Sequence, residues 1–441
     1  MRNDRVSKTA WRWERADIQT RLMMRWASVL GLGLLGCGRA PLEVCNCAEG
    51  HGVVINEVCS CLALLPSTPN PAGAREFDLQ GGAEPDWAAI DGALATGDVV
   101  VRFAPGDAWE RLRILRTDEG PHRLVLDGGG GAERATVAGI LTPFDEGPRH
   151  RITIRGFEIT GSPDKGVFWE AGDDILIEDV VIHNNRGTPA LNLEYSNRSG
   201  YPSTGFVVRN SHIYDQRGEC LYIGGAEGMD QDSHRDVRIE NNLIHDCWAA
   251  DTKHDAINVK DRLSDVRVER NVVLRSDWGI EVASPGIYRN NLVMATVREG
   301  VQVSDAFSPI RDMVFEGNVV VRPGHDGFHI ATDRASAPGL KLRDNWVVGA
   351  RKAGVLLGSG AGMDVTIENM VILDSAVAFD GWGDEAVVDV VDCQTSGNEE
   401  DFSRLLAEAG PCTTAEPVDV TTIAGPDGQF FTADDPIVMQ E

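Results

Sequence analysis

Asn192, Tyr222, Asn258, Glu281, Gln302 and His329 each stand between the two apolar residues of a short strand-like phrase. The apolar pairs are Leu191/Leu193, Leu221/Ile223, Ile257/Val259, Ile280/Val282, Val301/Val303 and Phe328/Ile330, and Val355/Leu357 continues the series. Alternate residues of a strand face opposite ways, so each pair points inward and the residue between points outward. Stacked on successive turns, the six make one surface column. Glu219, His254/Asp255, Asp277/Trp278, Arg298/Glu299 and His325/Asp326 stand just before these strands, and Lys260 stands one step beyond Val259. Carboxyls, an amine and imidazoles move protons; amides and aromatic rings hold hydroxyl-rich ligands. At about 4.8 Å per turn, four or five turns spread these groups over roughly 20 Å, the length of a few sugar rings.

The elements that must position them are repeats. VRIENNLIHDC from Val237, VRVERNVVLRS from Val266 and GIYRNNLVMAT from Gly286 are the same phrase three times: an alternating strand, a bend at Asn-Asn or Arg-Asn, and a second short strand. The pattern extends from Phe157 to Met370 at intervals of 20 to 31 residues, which are solenoid spacings. Two residues after each bend stands Ile159, Ile182, Ile213, Ile244, Val273, Val293, Val320, Val347 or Ile372, always β-branched, which predicts an inward column. Asn242, Asn271, Asn291, Asn318 and Asn345 form an unbroken series at the bend, predicting a structural amide ladder. The fold class is all-β, a parallel β-solenoid of about nine clear turns over residues 76–392. Trp87 to Leu94 reads as a short helix capping the first strand edge. Residues 393–441 read as a C-terminal cap and acidic tail, with a short helix expected at Asp401 to Gly410.

Arg21 and Arg25 followed by the apolar run Trp26 to Gly36 give residues 1–36 the layout of a signal peptide. The net charge of −27 becomes −31 without them, 34 basic against 65 acidic groups, which excludes a nucleic-acid partner because phosphate binding needs a basic surface. Nine cysteines in an exported chain favour disulfides. Cys220 and Cys247 stand on successive turns and Cys393 and Cys412 are close in sequence, so either pair could bridge; Cys45, Cys47, Cys59 and Cys61 fall in residues 37–75, which lack sustained periodicity and read as a Cys-rich tether. No glycine-rich phosphate loop opens a helix after a strand, and no nucleotide cofactor is expected.

Three resemblances follow from these residues. Leu34-Leu35-Gly36-Cys37 resembles the lipobox of bacterial lipoproteins, which implies a lipid anchor at Cys37 and a place in the cell envelope, at the outer membrane or cell surface. The helix followed by Gly97-Asp98, a strand and Pro105-Gly106 resembles the N-terminal cap of right-handed parallel β-helix proteins. His254-Asp255-Ala256-Ile257-Asn258-Val259-Lys260-Asp261 resembles the alginate lyase and chondroitinase B family, and the same place is occupied by an acidic strand in the mannuronan epimerases.

The chain is expected to be a monomer, and the lyase resemblance implies cleavage of an acidic polysaccharide by β-elimination. Lys260 would be the base, with Asp255, Glu281 and Glu219 as calcium or hydrogen-bonding partners and His329 as a further acid–base group. Asn258, Gln302, Arg298, Trp278, Tyr222 and Asn192 would line the substrate groove. Lys253 stands at that family's first acidic position, and Glu281 and Ala283 stand where its arginine is expected. Two alternatives share the fold: a polysaccharide epimerase, and a non-catalytic surface protein that binds glycan or envelope components.

Overall fold

In the computed structural model the described residues run from Val44 to Thr414, apart from the connecting segments 48–49, 56–57, 116–119, 132, 143–147, 196–202, 226–233, 249–253, 261, 305–310, 332–336, 359–362, 382–386 and 403–411. They belong to the compact unit Leu42–Glu441. The chain winds into a parallel β-solenoid of about ten turns. One turn serves as the pattern: Leu263–Glu269, Val272–Leu274 and Trp278–Val282 form three strands, each hydrogen-bonded in register to its counterparts on the turns before and after. The first strands build a 13-stranded parallel sheet from Arg75–Leu79 to Val387–Val391.

The bend lies one residue earlier than the sequence pattern places it. Asn241, Arg270, Asn290, Gly317 and Asp344, with φ of 55°, 55°, 53°, 61° and 55°, take the left-handed conformation, which Asn, Asp and Gly tolerate best. The following asparagine is thereby turned inward. Nδ2 of Asn242, Asn271, Asn291 and Asn318 donates to Oδ1 of the next asparagine at 2.9, 3.0, 2.9 and 2.9 Å. The same amides donate to the carbonyls of Val208, Ile239, Val268 and Tyr288 at 3.0, 2.8, 2.8 and 2.7 Å. Each ladder member is buried and satisfied, as a buried amide must be.

The β-branched column behaves as the spacing predicts: Ile159, Ile182, Ile213, Ile244, Val273, Val293, Val320, Val347 and Ile372 pair in unbroken register and are all buried. It packs against a row of small residues. A methyl group placed on Gly279 or Gly327 would lie 2.6 or 2.5 Å from a methyl of Val293 or Val347. Both cysteine pairs are bridged, Cys220–Cys247 across neighbouring turns and Cys393–Cys412 at the C-terminal end.

Asp86 caps the helix Trp87–Leu94, its Oδ1 accepting from the Ala89 amide at 3.1 Å, and Ile90, Ala93 and Leu94 bury into the main core. Among the described residues no helix is long and apolar enough to cross a membrane.

Two regions differ from the sequence expectation. The expected tether holds a three-stranded antiparallel sheet, Val44–Cys47, Gly50–Ile55 and Val58–Ala63, which occurs once and so leaves no repeat to read. It is fastened to the solenoid: the Leu65 amide and carbonyl each bond the Asn210 side chain at 2.9 Å, and Asn241 Nδ2 reaches the Ala63 carbonyl at 2.8 Å. Thr68 lies over Arg155, Glu178 and Arg209. At the other end the ladders continue past Asp392 through Gln394–Ser396, Glu400–Phe402 and Thr413–Thr414. There Cys393 holds the ladder position and Thr395 the column position opposite Ile372, which hides the turn from a hydrophobic pattern. The helix expected from Asp401 falls largely on residues 403–411, which, like Cys37 and the acidic tail, lie outside the described residues.

Candidate functional site

The outward column forms as predicted. Asn192 pairs with Tyr222, Tyr222 with Asn258, Asn258 with Glu281, Glu281 with Gln302 and Gln302 with His329, each on the next turn. Two clusters sit along it. The first gathers Glu219, Asp255, Asn258, Lys260 and Glu281, drawn from three successive turns, with Tyr222 alongside.

Asn258 is the hub. Its Nδ2 lies 2.7 Å from Asp255 Oδ2, 3.0 Å from Glu219 Oε1 and 3.2 Å from Glu281 Oε2. One amide carries two hydrogens, so three carboxyl acceptors exceed its capacity. Burial, then the Glu281 and Glu219 charges, push the Asp255 carboxyl well above the usual carboxylate range, and a hydrogen bond shared with Glu281 raises it further against the pull of Lys260. Burial also raises Glu219, opposed by Lys260 and Asn258. Lys260 Nζ is 3.4 Å from Glu281 Oε2 and 5.6 Å from the Tyr222 ring centre. The fold makes room for it at Gly224: with φ of 152°, a methyl group there would lie 2.4 Å from Lys260 Cβ. That glycine is functional scaffold which the sequence pattern passed over.

Glu219, Asp255 and Glu281, expected as calcium or hydrogen-bonding partners, meet at the Asn258 side chain, whose Nδ2 contacts all three and whose Oδ1 is buried without a hydrogen-bond partner.

The second cluster begins on the turn after Glu281 and centres on Glu299, which the sequence places beside the groove without a role. Glu299, Asp326 and His329 bring three potential ligand atoms within 4.8 Å of one another. Nδ1 of His325 and of His329 lie 3.2 and 3.7 Å from Glu299 Oε1. Burial raises the Glu299 carboxyl, but His329, its own backbone amide and His325 outweigh it and bring it down to about 2. Burial raises Asp326, with the Ala353 amide opposing. His329 thus belongs to a separate group from Lys260 and Asp255.

The remaining predicted residues line the path. Gln302 bridges the two clusters in register. Arg298 lies 5.8 Å over the Trp278 ring and 3.8 Å from Asp277, and Trp278 is nearly buried, so it presents little surface to a ligand. Asn192 is buried at the near end of the column.

Residues 145–280 and 196–372 match the sequence family described as right handed beta helix region, and the chain belongs to it. No curated protein matches the sequence. Among solved structures, the catalytic domain of a GH87 alpha-1,3-glucanase variant in complex with tetrasaccharides is similar at 12% identity and a TM-score of 0.50, over 80% of this chain and 70% of that one. A DFA-IIIase from Arthrobacter chlorophenolicus, crystallised without its lid, is similar at 12% identity and TM-score 0.46 over 79% and 100% of the two chains. The mannuronan C-5 epimerase A-module from Azotobacter vinelandii gives 15% identity and TM-score 0.37 over 81% and 97%. At these identities the likeness is one of fold.

Proposed function

We propose that the outward groove binds a polysaccharide and cleaves its glycosidic bonds by acid–base catalysis. The observation that carries this reading is the convergence of three carboxyls on Asn258 Nδ2, where burial and the neighbouring Glu281 and Glu219 push Asp255 well above the usual carboxylate range. A carboxyl raised in this way suits the role of general acid, here for the leaving oxygen. Glu281, paired with Lys260, is the second carboxyl that glycoside cleavage needs, and Glu219 supports both. Tyr222, Gln302 and His329 extend the surface on either side for hydroxyl contacts.

The test is incubation of the protein with panels of neutral and uronate-containing glycans, following reducing ends and ultraviolet absorbance together. Hydrolysis yields new reducing ends without absorbance, and Asp255→Asn abolishes them. A panel that gives no shortened product in the wild type would remove this reading.

Beta-elimination is the second reading, favoured by Lys260 and Tyr222 lying side by side on one face. An amine and a phenol can take and return a proton next to a uronate carboxylate. In that case product appears as ultraviolet absorbance and disappears in Lys260→Ala. Against it, Lys260 Nζ is engaged by Glu281 at 3.4 Å, and the acidic surroundings repel uronates. Epimerisation would change sugar composition without shortening the chain.

Export and lipid attachment at Cys37 complete the proposal, on the strength of Leu34-Leu35-Gly36-Cys37. Cys37→Ser is expected to move the protein from the membrane fraction to the soluble fraction; equal partition of the two would remove the anchor.

A further inference from the structure

Beyond glycan cleavage, and independently of it, the second cluster has the composition of a metal site. Asp326 and Glu299 are 2% and 7% exposed, so two carboxyls are buried side by side. Isolated buried carboxylates are costly unless a proton, a cationic partner or a metal compensates them. Their committed contacts leave atoms over. Asp326 Oδ1 accepts from the Ala353 amide at 3.0 Å. Glu299 Oε1 takes the His325 ring at 3.2 Å, while Glu299 Oε2 is buried without a partner. His329 Nδ1 is likewise buried without a hydrogen-bond partner, 3.7 Å from Glu299 Oε1.

The backbone fixes this geometry. Glu299 and Asp326 stand at equivalent places on successive turns, each two residues before an inward residue, Val301 and Phe328, that pairs with the other in the ladder. His329 follows Phe328 and faces outward beside Gln302.

We infer that Glu299, Asp326 and His329 bind one divalent ion of the zinc or manganese class, with His325 orienting Glu299. An imidazole joined to two carboxylates suits such borderline ions, whereas calcium prefers an all-oxygen shell of six to eight ligands. A ring held against a ligating carboxylate is a common outer partner. Glu299 stands one turn beyond Glu281 and His329 two, so the ion would lie about 5 to 10 Å further along the groove and would meet a bound chain at a neighbouring sugar.

The experiment is calorimetric titration of the untagged, chelator-treated full chain with zinc, manganese and calcium, with no glycan present. One equivalent of zinc or manganese is expected to bind in the micromolar range or tighter, and calcium at least about tenfold more weakly. Glu299→Gln and His329→Ala are each expected to lower that affinity by about 100-fold, and His325→Ala by about tenfold. Cobalt bound to the wild-type chain provides a readout that needs no variant: visible bands of nitrogen and oxygen ligation, without the near-ultraviolet band of thiolate ligation. No stoichiometric binding, preference for calcium, a thiolate band, or unchanged affinity in folded Glu299→Gln would each overturn the inference. Because glycan is absent, its failure leaves the cleavage reading untouched, and the converse holds.

Discussion

Asn291 and Asn258 are the same residue type, two turns apart in the same solenoid. At the inner corner Asn291 receives from Asn271, donates to Asn318 and holds the Val268 carbonyl, so all its polar atoms are satisfied. On the outer face Asn258 offers one amide to three carboxyls and leaves its own oxygen buried without a partner. The corner is polar in a way that stabilises a stack. The groove is polar at a cost, and sites that act on ligands accept such a cost. In a solenoid, then, the unsatisfied row marks function better than the polar row does.

The sharpest way to break this contrast is Asp255→Asn. It is expected to lower the rate of reducing-end release by at least about 100-fold, while the unfolding midpoint holds or rises because the chain no longer has to take up a proton there on folding. Asn291→Ala should do the reverse, losing about 3 to 5 kcal/mol in urea unfolding as its partners are left buried and unpaired, with every groove side chain still present.

The two regions also respond to pH with opposite sign. At the corner, His51 Nε2 lies 2.6 Å from the Asn210 carbonyl oxygen, and burial lowers its pKa to about 4. The unfolded chain binds that proton near pH 6.5, so the contribution of His51 is full above that value and declines by about 3 kcal/mol as pH falls to 4. Amide exchange across Gly50–Ile55 should quicken over that window, and His51→Gln should flatten the response. In the groove Asp255 is protonated in the folded chain at pH values where the unfolded chain has released the proton, so its contribution falls as pH rises above the ordinary carboxylate range. The cleavage rate should fall as pH rises through that same raised pKa.

The smallest effect is expected from Gly224→Ala. The added methyl displaces Lys260 and strains a left-handed position, at about 1 to 2 kcal/mol. If the Lys260–Glu281 pair matters to cleavage, the rate falls severalfold with it.

The fold was legible in the sequence because its periods are local: nine β-branched residues and five asparagines recur at fixed places, and each forms the column or ladder its spacing implied. The outward column was legible for the same reason. What spacing could not carry was the side-chain reach across turns. Asn258 lay among the groove residues, but that it gathers Glu219 from the turn before and Glu281 from the turn after depends on side-chain rotamers. His329 was separated from Lys260 by Gln302, and its true company, Glu299 and Asp326, comes from residues at a strand entrance where alternation has not yet begun. The last turn escaped notice because Cys393 and Thr395 replace the asparagine and the branched aliphatic residue that mark the others.

One paired measurement tests the central claim: the unfolding midpoint and the specific rate of reducing-end release, taken side by side for wild type, Asp255→Asn and Asn291→Ala on the glycan that the wild type cleaves. The predicted result is a rate lost with the midpoint kept in Asp255→Asn, and a midpoint lost with the rate per folded molecule kept in Asn291→Ala. A lowered midpoint and an unchanged rate per folded molecule in Asp255→Asn would show that the groove carboxyls are scaffold, and would contradict the account.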